Sequence, residues 1–210
     1  LPHHSCSGIS NKKLTINGNN NYQIVIPANA SKIEEEASLQ LKKHLLLLSK
    51  RVPNVVKENE YNGKNGIFIG QTNHANNNNV AADALEEDGY VFKNIGDDFL
   101  IQGGSEKGLL YGVYSLLESF GFRKYAADDP LDIPSTINFE LPNDITKIPK
   151  INYRTTNYYE GRDSEYADWN KLSSRDSWGL FVHTFEVLVP PEKYGKSNPE
   201  YYSLIDGERN

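Results

Sequence analysis

Glu160, Asp163, Glu165 and Asp168 crowd into nine residues late in the chain, and Glu186 follows farther on. Carboxyl pairs of this kind run glycosidic hydrolysis, in which one protonates the leaving oxygen and a second attacks or activates water. Nothing in the spacing of these five selects a pair, and each equally fits a solvated loop. Around them stand Arg154, Arg162, Arg175 and His183, more than half of the thirteen tyrosines, and both tryptophans. Aromatic faces stack on sugar rings while carboxylates, Arg and His bond to hydroxyls, so the mixture reads as a ligand-binding surface; a buried aromatic cluster has the same composition. His183, in an apolar stretch, is a candidate substrate contact, the other reading being a satisfied buried histidine. No catalytic residue is assigned.

Two other groupings are weaker. His3, His4 and Cys6 are metal-ligating types on a polar lead, without the fourth ligand and supporting shell that a site needs, so no metal and no cofactor is expected. Cys6 follows the small Ser5, which suits a lipidated cysteine, although His3 and His4 fit such a signal badly; a plain thiol stays open. Gly103, Gly104 and Ser105 precede a helical pattern, but no Lys completes a phosphate loop, and the trio reads as a helix cap.

With 210 residues, net charge -6, 38% hydrophobic and 24% charged residues, the chain has the composition of a globular protein. The acidic balance argues against nucleic acid as a partner. The longest aliphatic run, Leu45 to Leu48, is far too short to span a bilayer. The length allows one buried domain and part of a second, and excludes a complete (β/α)8 barrel after the first.

The elements that would position these residues follow from periodicity. Lys13–Ile16 and Tyr22–Ile26 read as strands around an Asn-rich turn. Ser31 and Glu34 form a capping box, and Ile33, Ala37, Leu41, Leu45 and Leu48 repeat at helical spacing. Residues 55–58 and the run Gly66–Gly70 read as strands, Asn76–Asn79 as a loop, and Val80–Glu87 as a short helix. Gly89–Ile95 and Phe99–Gln102 form a hairpin, and Ser105 caps a second helix that carries Leu109, Val113, Leu116 and Phe120 and stops at Gly121. Gly108 and Gly112 inside that helix imply that another backbone packs closely there. Four prolines between Pro130 and Pro149 mark a linker with one strand at Thr136–Leu141.

The fold class is therefore α+β: a mixed β-sheet with two main helices packed on one face. The motifs Asp88-Gly89-Tyr90, Gly103-Gly104, Gly108-x-x-Tyr111-Gly112 and Leu117-Glu118-x-x-Gly121 resemble, in order and spacing, the N-terminal domain of family 20 β-hexosaminidases and family 67 α-glucuronidases. Pro149–Glu160 resembles the first barrel strand of family 20 enzymes, and that resemblance implies that Arg154 contacts the substrate sugar; Arg154→Ala is then expected to leave stability nearly unchanged. Residues 181–209 resemble a family of gut-bacterial proteins that joins this domain to a barrel.

The organisation implied is a flexible lead over residues 1–12, an α+β domain over 13–149, and the opening segment of a (β/α)8 barrel over 150–210. The expected function is that of a non-catalytic domain of a secreted bacterial glycoside hydrolase, periplasmic or on the outer cell surface. Its partners would be its own C-terminal barrel and the glycan substrate of the full-length enzyme, and the fragment would be inactive alone. A carbohydrate-binding or surface-assembly module is the alternative.

Overall fold

The computed structural model describes residues 15–17, 22–48, 53–63, 65–136, 138–151, 153–156, 158–173 and 184–209. The chain divides into two compact units, residues 1–175 and 176–210. His3, His4, Cys6 and His183 lie outside the described residues.

The first unit is built on a six-stranded mixed sheet. Its strands are β2 (Gln23–Ile26), β3 (Asn54–Lys57), β4 (Gly66–Ile69), β5 (Tyr90–Ile95), β6 (Asp98–Gly103) and β8 (Ile145–Lys147), in the order β3-β2-β4-β6-β5-β8. The pairings among β3, β2, β4 and β6 are parallel, whereas β5 runs antiparallel to both β6 and β8. A short pair, β1 (Thr15–Ile16) with β7 (Phe139–Glu140), stands apart.

Helices α1 (Lys32–Leu48) and α3 (Glu106–Ser119) lie on the same sheet face. Ala37, Leu41 and Leu45 of α1 and Leu109, Val113, Leu116 and Leu117 of α3 share one core with Ile24, Ile67, Ile69, Phe99 and Ile101. The alternate strand residues Val25, Phe68 and Leu100 face the other way and pack under α2 (Asn73–Asn77) and Val80. Both faces are covered, so the central strands read as continuous apolar runs.

The local signals operate as their chemistry requires. Ser31 and Glu34 bond reciprocally, the Ser31 N–H donating to Glu34 Oε2 at 2.8 Å and the Glu34 N–H to Ser31 Oγ at 3.3 Å. Ser105 Oγ accepts from the N–H groups of Lys107 and Gly108, which bears out the cap reading. Gly96 turns the β5–β6 hairpin at φ +61°. At Gly108 a Cβ would collide with the carbonyl oxygen of Gly89, which is the close backbone approach its helical glycine implied.

Three local expectations differ from the structure. β1 and β2 do not pair as a hairpin: β2 is buried on both faces, and both its edges are taken by parallel partners. Helix α2 forms where the asparagines read as loop, because Thr72 Oγ1 caps it at the Ala75 N–H, while the expected 80–87 helix is only a 3-10 turn over Ala82–Leu85. The proline-rich linker supplies strand β8, which closes one edge of the sheet, where proline neighbours are tolerated.

In the second unit, α5 (Phe185–Leu188) and α6 (Pro191–Tyr194) precede a hairpin of β9 (Leu204–Ile205) and β10 (Glu208–Arg209). Asp206 and Gly207 turn it, both at positive φ. Tyr202 is buried there, its hydroxyl donating to the Val189 carbonyl at 3.0 Å.

Candidate functional site

Arg154 sits at the meeting of two stretches of the first unit. Residues 158–173 carry α4 (Ser164–Trp169), capped by Asp163, whose Oδ1 accepts from the Tyr166 N–H at 2.8 Å. The helix closes with the Leu172 N–H donating to the Ala167 carbonyl and the Lys171 N–H to the Asp168 carbonyl, a Schellman arrangement. Its left-handed position is held by Lys171 at φ +56°, where glycine is usual. The lysine is retained there by a bond from Nζ to Glu118 Oε2 at 2.7 Å.

That closure aims the Lys171 carbonyl at Arg154. The guanidinium donates from Nε to the Lys171 carbonyl at 2.8 Å, from one terminal nitrogen to the Ile151 carbonyl at 2.6 Å, and from the other to Asp88 Oδ2 at 2.7 Å. It also lies 5.7 Å from the ring centre of Tyr111, within cation–π range. The Tyr111 hydroxyl donates to the Leu172 carbonyl at 3.2 Å. Burial pushes the Tyr111 phenol up to about 12, with the Asp88 charge adding to the effect and Arg154 opposing it. The Arg154 backbone bonds Ser173 in both directions.

Trp169 anchors the same stretch. It is 2% exposed and packs against Tyr114 of α3 and against His44 of α1. His44 Nδ1 lies 2.7 Å from the Gln40 carbonyl, and a carbonyl only accepts, so the ring proton is on Nδ1. Burial holds the His44 pKa below its ordinary value, the Gln40 bond partly opposing.

The arrangement is thus a clamp of charge-assisted hydrogen bonds and ring packing between residues 151–173 and the strand–helix motif residues Asp88, Tyr111 and Glu118. These contacts argue against the expectation that losing Arg154 would leave stability nearly unchanged: its side chain is 22% exposed and faces a carboxylate only 10% exposed. The candidate acids are scattered. Asp163 caps α4, Glu165 pairs with Lys43 at 3.4 Å in solvent, Asp168 is buried, and Glu186 is exposed in the second unit. The Glu160 side chain lies outside the described residues. Among the described residues, no group of three His, Cys, Asp or Glu side chains is placed to hold a metal, and no helix is long and apolar enough to cross a membrane. Sequence reasoning missed Lys171; its signal, a lysine following Asn170 at a helix end, is too common to stand out.

The glycosyl hydrolase family 67 N-terminus matches residues 7–116, just over half of the chain. The chain belongs to this family. A domain of unknown function, DUF4838, matches residues 125–210. Thus Asp88 and Tyr111 lie within the family 67 region, and Arg154 and Lys171 in the stretch that follows it.

No curated protein matches the sequence. Among solved structures, a family GH115 4-O-methyl-α-glucuronidase, BtGH115A, shares the fold at TM-score 0.50 and 15% identity, covering 68% of this chain and 19% of that one. The GH20 β-N-acetylhexosaminidase of Streptomyces coelicolor A3(2) aligns at TM-score 0.47 and 16% identity over 69% of this chain and 25% of its own. The chain therefore spans a quarter or less of the length of these structures.

Proposed function

We propose that this family 67 N-terminal domain is the non-catalytic part of a secreted glycoside hydrolase, and that it packs against and orients a catalytic barrel whose opening segment begins near residue 150. The observation that carries the reading is the clamp on residues 151–173. Arg154, Lys171 and Trp169 hold that stretch onto Asp88, Glu118 and Tyr114, so the chain leaves the domain from a fixed place. Rigid placement matters because displacing catalytic groups by about 1 Å lowers turnover on the order of 100-fold. A sugar contact by Arg154 belongs to the same proposal, its guanidinium carrying five N–H donors of which three bond Lys171, Ile151 and Asp88.

The test uses the longer enzyme that carries this chain, assayed on aryl glycosides beside its Asp88→Asn and Arg154→Lys forms and beside the 210-residue chain alone. Orientation by the clamp requires Asp88→Asn to lower kcat, since Asp88 acts by holding Arg154. Unchanged kcat in that variant, or turnover by the 210-residue chain alone, would overturn the proposal. Placement in the periplasm or on the outer cell surface is part of the same reading, and recovery of the native protein in the cytoplasmic fraction would sink it.

A further inference from the structure

The dipeptide Asn-Gly occurs at residues 17–18, 62–63 and 65–66. At such a pair the glycine nitrogen attacks the asparagine side-chain carbonyl carbon. The N–Cγ bond forms, the bond to the amide nitrogen breaks, and that nitrogen leaves as ammonia with the proton given up by the glycine. The succinimide ring then takes up water and opens to aspartate, or to isoaspartate, whose main chain runs through the former side-chain carbonyl. Water is the only co-reactant, and the missing Cβ of glycine is what lets its nitrogen approach. Gly18 lies outside the described residues, so the comparison is between the other two pairs.

Asn62 and Gly63 are exposed, and among the described residues neither takes part in a hydrogen bond. Gly63 stands at φ +91°, and a Cβ built on it would meet nothing within 4 Å, so the space in which the ring must close is open.

Asn65-Gly66 has the same two residues in the opposite setting. Gly66 opens β4 and is buried, and its N–H donates to Asp98 Oδ1 at 2.7 Å. A charge-assisted bond of this kind keeps the proton on the nitrogen and the nitrogen in the strand. The Asn65 carbonyl accepts from the Gln23 N–H at 3.1 Å, which ties the pair to β2. A Cβ on Gly66 would collide with the Phe68 and Tyr61 rings, so a succinimide has no room there. Asp98 Oδ1 also accepts from the Tyr61 hydroxyl, so one carboxylate fixes both ends of the segment in which Asn62 and Gly63 stand.

We infer that Asn62 is a site of spontaneous modification in the folded chain, converting to aspartate and isoaspartate through the Gly63 nitrogen, whereas Asn65 reacts only when β4 opens locally. The isoaspartyl product carries a free α-carboxylate, which makes position 62 a substrate for an S-adenosylmethionine-dependent isoaspartyl methyltransferase. The inference is independent of the clamp and of any action on glycans.

The 210-residue chain is incubated in mildly alkaline buffer, folded and, in parallel, unfolded in guanidinium chloride, and is then cut with trypsin. Cleavage after Lys57 and Lys64 puts Asn62 and Asn65 on separate peptides, each followed by mass spectrometry for amide-to-acid conversion. In the folded chain Asn62 is expected to convert at least about tenfold faster than Asn65, because reaction at Asn65 first requires the Gly66–Asp98 bond to break. In the unfolded chain the two rates should converge. The modified Asn62 peptide should accept a labelled methyl group from the methyltransferase, and Asn62→Ser, which loses no hydrogen bond among the described residues, should abolish that labelling. Equal rates at Asn62 and Asn65 in the folded chain, or an unreacted Asn62 there while the unfolded chain converts, would overturn the inference. So would a gap that persists after unfolding, since the flanking residues rather than the fold would then set the rates.

Discussion

Replacing Arg154 by alanine should destabilise the first unit by about 3 kcal/mol. The guanidinium makes three hydrogen bonds, one of them a 2.7 Å charge-assisted bond to Asp88 Oδ2. Truncation leaves that carboxylate, 10% exposed, without its cation. Breaking a buried pair from one side costs about 3–5 kcal/mol; the partial exposure of Arg154 moves the expected value to the lower end, since water can reach part of the vacated space. For a domain of this size that corresponds to a fall in Tm of roughly 6–12 °C. Urea unfolding followed by the fluorescence of Trp169, which packs beside the clamp, supplies the measurement. A double-mutant cycle with Asp88→Ala separates the pair from the rest of the side chain, and a coupling of at least about 1 kcal/mol is expected. Loss below about 0.5 kcal/mol in Arg154→Ala, within the range of ordinary surface substitutions, would refute the reasoning and return Arg154 to a role in ligand contact alone.

Gly108→Ala gains helix propensity of about 1 kcal/mol but drives a Cβ into the Gly89 carbonyl, so a net loss of about 1–3 kcal/mol is expected; a stabilised variant in thermal melts would show that the backbones can part. Glu34→Ala removes the acceptor for both the Ser31 and Gln71 N–H groups and should lower stability by about 1–3 kcal/mol, read from the urea midpoint. His44 has its folded pKa lowered by burial, so between that value and the unfolded value of about 6.5 the unfolded chain binds more protons. Stability should therefore fall as pH drops from about 7 through the unfolded pKa and level off below the folded one; the slope should be reduced in His44→Gln, and an identical pH profile in that variant would remove His44 as its source.

What could be read from the residues divides along physical lines. Interactions closed within four residues were legible: the Ser31–Glu34 box, the Ser105 cap and the Gly96 turn each satisfy backbone groups beside themselves, so their sequence signature is complete. The packing of α1 and α3 on the sheet was legible because the apolar stripe of each helix names its buried side. Strand partnership was not. Thr15–Ile16 pairs with Phe139–Glu140 across more than half the chain, and no property of either dipeptide specifies the other. Edge strand β8 hid for the opposite reason, since its flanking prolines punctuate a linker and an edge strand alike.

The clamp shows the same limit at the site itself. The Asp88-Gly89-Tyr90 and Gly108-x-x-Tyr111-Gly112 patterns could be recognised, but their shared purpose appears only when the fold places the Asp88 carboxylate and the Tyr111 ring around Arg154, sixty-six residues from Asp88. Gly108 makes that placement possible, because it lets α3 approach the backbone of Asp88 and Gly89 without a Cβ between them. A larger residue at Gly108 would push the Asp88–Gly89 backbone from α3 and separate Asp88 from Tyr111. The effect of Gly108→Ala should consequently reach beyond packing: it should also reduce the Arg154–Asp88 coupling measured in the double-mutant cycle. Full coupling in the Gly108→Ala background would show that the pair is held by residues 151–173 alone.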